Sequence, residues 1–140
     1  MYEYSCKVER VVDGDTVDVV LDLGFDILHK CRVRLYGIDT PESRTRDLDE
    51  KARGKMSSAF LSEAIDTGKQ VVIQTKLKDS KGKYGRVLGD VVVDGENINQ
   101  LMVDANLAVA YFGQSKDEVE SEHLENRKIL IDKGLFEPVT

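Results

Sequence analysis

Apolar and polar residues alternate along three stretches in the first part of the chain, a pattern typical of half-buried β-strands. These stretches span residues 4–12, 16–23 and 27–37. Turn-forming residues separate them, first at Asp13-Gly14-Asp15 and then at Gly24-Phe25-Asp26. Because the connections are short, the three strands are predicted to form a meander.

The pattern becomes helical in the middle of the chain. Apolar residues recur at helical spacing from about Gly54, and Gly68 lies where such a helix would stop. The charged stretch before it, residues 44–54, shows no convincing period. We therefore expect an exposed loop there, followed by the first helix.

Two more strands and two more helices are predicted in the second half. The strands cover residues 70–75 and 87–93. Asn99 is the expected N-cap of a short second helix. Residues 116–133 predict a long third helix that is acidic at its start and basic toward its end, as the helix dipole favours, with Gly134 as its C-cap.

Five strands with a helix inserted after the third predict an α+β fold with a mostly β core. The architecture that suits this order is a five-stranded barrel of the OB type with about three helices. The 140 residues fit one domain, residues 1–140, which is large enough to bury roughly two thirds of its unfolded surface.

Cysteine content and hydropathy argue against several classes of protein. Cys6 and Cys31 have no C-x-x-C spacing, so we expect reduced thiols in the core rather than a zinc site or a disulfide framework. The first ten residues lack a basic and then apolar signal-peptide pattern, and no run approaches the ~20 apolar residues of a membrane span. We expect a soluble protein, cytoplasmic as synthesised and without a membrane partner.

Charge is segregated along the chain. The formal net charge of −6 argues against loose binding of polyanions. Residues 76–86, however, hold five basic residues and one acidic residue, a local charge of +4, whereas residues 117–125 hold five acidic residues and no Lys or Arg. A role with nucleic acid therefore depends on a local basic patch.

A guanidinium and two carboxylates are expected to meet where the third strand ends. Arg34 alternates with the apolar residues of that strand, so it points away from the core. Asp39 and Glu42 bracket Pro41, which fixes the local backbone and pushes Thr40 into an extended conformation. We call residues 39–42 the acidic corner. Such clustered charge needs a cation or a hydrogen-bond network to offset its cost.

Three motifs carry a resemblance to a known family. They are DGDT at 13–16, RLYGIDTPE at 34–42 and KYGR at 83–86. Their order resembles that of the staphylococcal nuclease family over nearly the whole chain. The resemblance implies a Ca²⁺-dependent nuclease that hydrolyses DNA, and RNA as well, by in-line attack of water, leaving 3′-phosphate ends.

Two acidic residues are suited to hold the calcium ion. Asp15 and Asp39 offer hard oxygen donors, which Ca²⁺ prefers, and the resemblance implies that the Thr40 carbonyl joins them. An EF-hand is excluded because Val17 would occupy its third ligand position.

The remaining catalytic roles also follow from the resemblance. Glu42 would act on the attacking water, either as a general base or as a group that orients it. Arg34 and Arg86 are forked donors that match phosphate oxygens, and the resemblance makes both catalytic.

The resemblance implies that Lys83, Tyr84 and Tyr111 contact the terminal phosphate and the sugar or base of the substrate, with a core position as the alternative for Tyr111. The chain departs from the family pattern at Ala52-Arg53-Gly54, where an aromatic-glycine pair is usual. His29 and His123 match no motif position and receive no role.

Two other classes of function are compatible with the sequence. One is a non-catalytic nuclease-like OB module that binds nucleic acid or protein, for which the acidic third helix would be a partner surface. The other is a structural protein that Ca²⁺ stabilises without turnover. The complete catalytic set favours the enzyme over both. A monomer is the default expectation.

Overall fold

The computed structural model describes residues 2–76 and 87–139. It contains eight strands within these ranges, β1 Glu3–Asp13, β2 Thr16–Asp22, β3 Leu28–Leu35, β4 Ile38–Asp39, β5 Val71–Thr75, β6 Val87–Val93, β7 Glu96–Asn97 and β8 Val109–Ala110. The helices in the same ranges are α1 Leu48–Thr67, α2 Ile98–Asp104 and α3 Lys116–Asp132.

The five long strands close into a barrel. Their order is β3-β2-β1-β5-β6, and all neighbouring pairs in that order are antiparallel. A parallel pairing of β3 with β6, which sets Val33 opposite Val87, joins the two edges. The predicted meander, the α+β class and the five-stranded OB-type barrel with three helices are confirmed.

The barrel interior is filled by the apolar side chains that alternate along each strand. Val17 and Val19 on β2 are fully buried, as are Val33 on β3, Ile73 on β5 and Val91 on β6. Each such side chain contributes roughly 1.5–3 kcal/mol through burial, so the core is the main source of stability. A smaller cluster around Leu107, Leu130 and Phe136 packs α3 against α1.

The first helix begins earlier than predicted. Asp47 is its N-cap, and the Asp47 carboxylate accepts from the backbone N–H groups of Asp49 and Glu50. The prediction of an exposed loop over residues 44–54 is therefore wrong from Leu48 onward. The apolar pattern missed this turn because its buried face carries Arg53 rather than an apolar side chain.

The second helix is capped by Asn97 and not by Asn99 as predicted, since the Asn97 side chain accepts from Gln100 N. Asn99 lies two residues further on, is buried, and makes different contacts. Its amide accepts from Val91 N at 3.0 Å and donates to Tyr36 O at 2.9 Å. Asn99 thus holds α2 against β6 and the end of β3.

The ends of the third strand and of the third helix differ only slightly from the prediction. The third strand ends at Leu35 rather than at residue 37, because Gly37 adopts a positive φ of 75° and starts a turn. Ser115 caps α3, and Gly134 (φ 72°) follows its C-terminus. In the part of the chain that is described, no helix is long and apolar enough to cross a bilayer.

Both cysteines are free and half-buried. Burial, and to a smaller extent the neighbouring Cys31, raises the pKa of Cys6 to about 11. Both side chains contact the main apolar cluster, so they pack at its edge, and their reduced state stays a prediction.

Candidate active site

An open cleft of about 1220 Å³ lies where the β3–β4 turn, the start of α1 and the inner face of α3 meet. The segment that follows β8 closes one side. The charged and aromatic groups on its walls include Arg34, Asp39, Glu42, Tyr111 and His123. The acidic corner therefore opens into a hollow large enough for a nucleotide-sized ligand.

Arg34 lies at the centre of this cleft. One of its terminal nitrogens, Nη1, donates to the carbonyls of Leu35 at 3.0 Å and Ile38 at 2.9 Å, which braces the β3–β4 turn. The guanidinium also faces two carboxylates, with Nη1 3.4 Å from Asp15 Oδ2 and Nη2 3.6 Å from Asp39 Oδ1. Only 18% of the side chain is exposed, so its charge acts in a partly desolvated setting.

The β1–β2 turn brings Asp15 to the acidic corner. Asp15 Oδ1 accepts from the Thr16 hydroxyl at 3.0 Å, and Oδ2 accepts from the backbone N–H of Thr40 at 3.3 Å. Asp15 and Arg34 lie at the same end of the barrel, because Thr16 pairs with Arg34 across β2 and β3, and the turn after β3 brings Asp39 back to them. We call Asp15, Arg34, Asp39 and Glu42 the Arg34 cluster.

Two glycines allow α1 to approach this cluster closely. A Cβ on Gly14 would lie 2.7 Å from the Cβ of Ser57, and a Cβ on Gly54 would lie 2.7 Å from Pro41 O. No side chain fits at either contact without displacing its neighbour. Gly54 in particular lets the helix support the backbone of Glu42, whose carbonyl would be 2.8 Å from such a Cβ.

Glu42 is held through its backbone while its carboxylate points into the cleft. Its N–H donates to Glu50 Oε2 at 3.0 Å, and the next residue, Ser43, donates its hydroxyl to Asp13. Desolvation by the cleft walls, followed by the charge of Asp15, raises the pKa of Glu42. Within residues 2–76 and 87–139 no group donates a hydrogen bond to this carboxylate, so it is available to accept a proton.

His123 was not assigned a role from sequence, yet it contacts the acidic corner. Its Nε2 lies 2.7 Å from Asp39 Oδ2, and its side chain is 12% exposed. The signal available in the sequence was its spacing, since His123 shares one helix face with Asn126, Arg127 and the buried Leu130. That spacing shows that the residue faces inward but does not reveal its partner.

A second charged group lies beside the cleft, and we call Asp49, Arg53 and Arg127 the Asp49 clamp. Asp49 Oδ1 accepts from Arg53 Nε at 3.0 Å and from Arg127 Nε at 2.9 Å, while Oδ2 accepts from Arg127 Nη2 at 3.2 Å and from Val139 N at 3.2 Å. Burial alone would raise the pKa of Asp49, but these bonds hold it below its ordinary value. The unusual Arg53 thus connects α1 to α3 through Asp49.

The predicted substrate contacts are only partly described. Tyr111 lines the cleft with 46% of its surface exposed, which argues against the core alternative, and its N–H donates to Gly37 O at 2.7 Å. Lys83, Tyr84 and Arg86 lie outside the described residues. Next to Tyr111, Phe112 is 78% exposed at the rim of the cleft. The two rings offer faces on which bases can stack.

The possible ligands of a calcium ion at the Arg34 cluster are two carboxylates and a backbone carbonyl. Asp15 and Asp39 supply hard carboxylate oxygens on either side of Arg34, and Thr40 lies next in the chain. In the described ranges no group of three or more Asp, Glu, His or Cys side chains is arranged to hold a metal. The residues fit a hard, partly hydrated cation that takes backbone and water oxygens beside two carboxylates, as Ca²⁺ does.

Comparison with known proteins finds one matching family and several relatives with nuclease names. Residues 32–129 match the family described as "Staphylococcal nuclease homologue". An uncharacterized endonuclease of Escherichia coli is 35% identical over 114 residues, which cover 81% of this chain and 65% of the relative. The thermonuclease of Staphylococcus intermedius is 35% identical over 114 residues, with 81% and 64% covered.

A third relative is much longer. Endonuclease YhcR of Bacillus subtilis is 33% identical over 116 residues, covering 79% of this chain and 9% of the relative. The chain thus spans less than two thirds of the length of these three relatives. The range matched by the family model, residues 32–129, includes Arg34, the acidic corner and helix α1.

Proposed function

This chain belongs to the staphylococcal nuclease homologue family, and from that premise we propose that it is a Ca²⁺-dependent phosphodiesterase. Its substrates are DNA and RNA, and its products carry 3′-phosphate ends. The observation that supports this proposal best is the convergence of Asp15, Arg34 and Asp39 at distances of 3.4 and 3.6 Å beside Glu42. The nuclease names of the relatives support the same reaction class.

In this proposal Asp15, Asp39 and the Thr40 carbonyl would hold the cation. When bound, it supplies positive charge that neutralises the phosphate and favours attack by water. Asp15 and Asp39 both lie within 3.6 Å of the Arg34 guanidinium, so the two proposed carboxylate ligands are near each other. Because these three residues would leave the other coordination positions of Ca²⁺ to water, binding is expected to be reversible and sensitive to chelators.

Glu42 and Arg34 carry the chemical step. Glu42 takes a proton from the attacking water, and the new P–O bond forms as the P–O5′ bond breaks. The sugar 5′ oxygen leaves and takes up a proton from solvent, while the phosphate stays on the 3′ side. Arg34 stabilises the negative charge that develops on the phosphorus oxygens, and Arg86 is the proposed second guanidinium.

Tyr111 is the proposed platform for the sugar or base, with Lys83 and Tyr84 as contacts to the phosphate. Stacking on an aromatic ring tolerates any base and contributes roughly 1–3 kcal/mol. This suits a nuclease with little sequence preference. The single-domain boundary at residues 1–140 and the monomeric state remain predictions of the sequence.

A cleavage assay tests the proposal. Single-stranded DNA and RNA oligonucleotides are incubated with the protein in Ca²⁺ or in excess chelator, and the product ends are identified by mass. We expect cleavage in Ca²⁺ only, with 3′-phosphate and 5′-hydroxyl ends. Binding of the oligonucleotide without cleavage would instead support the non-catalytic module, and Ca²⁺ stabilisation without turnover would support the structural protein.

A further inference from the structure

His123 reaches the acidic corner from a helix that lies 84 residues further along the chain. Its Nε2 is 2.7 Å from Asp39 Oδ2. An ionised carboxylate only accepts hydrogen bonds, so Nε2 carries the proton and donates it. The His123 side chain is 12% exposed, which makes this contact a partly buried one. A hydrogen bond to a charged acceptor in such a setting is short and strong.

The helix that carries His123 is fixed on both sides. One turn later, Asn126 Nδ2 donates to Ala108 O at 3.1 Å and Arg127 binds Asp49 at 2.9 and 3.2 Å. Ala108 leads into β8, whose Val109 pairs with Asp39 on β4. His123 and Asp39 are therefore connected in two ways, by their own hydrogen bond and by the contacts that α3 and β4 both make with the segment Ala108–Val109. Neither partner can move away without breaking these contacts.

The two oxygens of Asp39 consequently have different surroundings. Oδ2 is engaged by His123, whereas Oδ1 faces Arg34 Nη2 at 3.6 Å, a distance too long for a hydrogen bond. In the described parts of the chain, Oδ1 receives no hydrogen bond. The contact with His123 thus selects one rotation of the carboxylate and leaves Oδ1 as the oxygen with free lone pairs.

We infer that His123 is a positioning residue of this site, which fixes the carboxylate of Asp39 so that Oδ1 is presented as a cation ligand. The inference rests on the proposed function, because it takes Asp39 to be a Ca²⁺ ligand. Groups that hydrogen-bond metal ligands orient them and raise their affinity for the ion. His123 itself touches neither substrate nor the reacting atoms in this account.

The test is a calorimetric titration of the protein with Ca²⁺ alone, at one pH and without nucleic acid. His123→Ala should weaken Ca²⁺ binding by about 10- to 100-fold, the usual effect of removing such a partner. His123→Gln should stay close to wild type, because the Gln amide nitrogen can take the place of Nε2. His123→Asn, whose amide is shorter, should behave like His123→Ala.

His29 provides a matched control. It is an exposed histidine near the opposite end of β3 from Arg34, and His29→Ala should leave Ca²⁺ binding unchanged. Circular dichroism and thermal unfolding in chelator establish that each variant is folded. If His123→Ala fails to fold, the comparison of His123→Gln with His123→Asn decides the question, since both keep a polar amide.

Cleavage kinetics give a second readout. A positioning role predicts that the cleavage defect of His123→Ala disappears when Ca²⁺ is raised to saturation, so that kcat returns toward the wild-type value. A defect that persists at saturating Ca²⁺ would overturn the positioning role, because His123 would then act on the chemical step itself.

The outcomes separate the two proposals. Wild-type cleavage together with equal Ca²⁺ affinity in wild type, His123→Ala and His123→Asn overturns the role of His123 and leaves the nuclease proposal intact. A wild-type protein that binds no Ca²⁺ overturns both. A loss of folding in all three His123 variants would make the contact structural and would also overturn the inference.

Discussion

The Arg34 cluster and the Asp49 clamp contain the same kinds of side chain but differ in how fully their charges are paired. In the clamp, one carboxylate accepts from two guanidinium groups and a backbone N–H, at 2.9 to 3.2 Å. In the cluster, one guanidinium faces two carboxylates at 3.4 and 3.6 Å, and Glu42 adds a third acidic group. The clamp has an excess of positive charge, whereas the cluster has an excess of negative charge.

The pKa directions follow this difference. The hydrogen bonds of the clamp outweigh the effect of burial and lower the pKa of Asp49, so ionised Asp49 stabilises the fold. Desolvation and neighbouring carboxylates raise the pKa of Glu42, so ionised Glu42 costs stability. The two groups therefore differ in what neutralises their charges. In the Asp49 clamp the carboxylate is fully hydrogen-bonded by groups of the protein, whereas, among the described residues, the Arg34 cluster keeps unpaired negative charge that a cation can neutralise, and its guanidinium can bind a phosphate.

The largest effect is expected at Arg34. Arg34→Lys keeps a positive charge between the two carboxylates but loses the forked donor, and cleavage should fall by about 10³- to 10⁵-fold, as when a transition-state arginine is removed. Arg32→Lys is the matched control, because Arg32 lies on the same strand and pairs with Asp18 at 2.8 and 3.1 Å on the surface. Both variants are measured by initial cleavage rates at saturating Ca²⁺, and equal rates for the two would contradict the assignment of Arg34.

Glu42→Gln should lower the cleavage rate without lowering the stability of the fold. We expect cleavage to fall by about 10²- to 10⁴-fold through loss of the base. The folded-state pKa of Glu42 is raised, so its contribution to stability is present below its unfolded pKa of about 4.3 and is lost as pH rises through the folded value. At pH 7 in chelator, Glu42→Gln should therefore melt at or above the wild-type temperature. Glu63→Gln, at an exposed position on α1, is the control and should change neither the cleavage rate nor the melting temperature. A clear drop in the melting temperature of Glu42→Gln would contradict the claim that ionised Glu42 destabilises the fold.

Asp49→Asn should show the opposite pattern. It leaves Arg53 and Arg127 without their carboxylate, and the free energy of unfolding at pH 7 should fall by about 3 kcal/mol. The folded-state pKa of Asp49 is lowered, so its stabilisation is present above its unfolded pKa of about 3.9 and is lost as pH falls through the folded value. Urea unfolding from pH 7 to pH 3 should show the gap between wild type and variant closing below about pH 4. Cleavage at 10 °C should remain within about tenfold, and a larger loss would mean that the clamp is part of the catalytic machinery.

A smaller effect on the cleavage rate than at Arg34 or Glu42 is expected at Gly54, where α1 contacts the backbone of the acidic corner. A methyl group there would collide with Pro41 O at 2.7 Å and Glu42 C at 2.8 Å, so Gly54→Ala must shift the backbone of the acidic corner. A displacement of about 1 Å at a catalytic group costs about 100-fold in rate. Ser58→Ala on the next turn of α1 is the control. An active Gly54→Ala enzyme would show that the contact between helix and acidic corner is not needed to place Glu42.

The barrel and the Arg34 cluster could be predicted from sequence because both depend on short-range patterns. Alternation indicated which face of β3 carries Arg34, and the turn residues around Asp15 indicated where β1 ends and β2 begins. Strands that end together bring their terminal residues together. The family resemblance supplied the roles, which the geometry accommodates without testing them.

The missed features all depend on contacts between distant segments. The start of α1 lacked an apolar pattern because the first buried side chain of the helix is Arg53, which is stabilised there by Asp49, itself bound to Arg127 on α3. His123 has no local signal for Asp39, since the pairing depends on how α3 docks. Asn99 is a good cap residue by type, but its amide is used by Val91 instead. Local sequence propensity cannot predict which partner such a side chain will bind, because the packing of distant segments decides it.

The most direct test of the central claim is a crystal structure of the protein with Ca²⁺ and a nucleoside 3′,5′-bisphosphate. The proposal predicts an ion about 2.3–2.6 Å from carboxylate oxygens of Asp15 and Asp39, with one phosphate bound both to the ion and to the Arg34 guanidinium, and with the Glu42 carboxylate facing a water beside that phosphate. A nucleotide bound away from Arg34, or an ion held by other residues while Asp15 and Asp39 keep only their present partners, would contradict it.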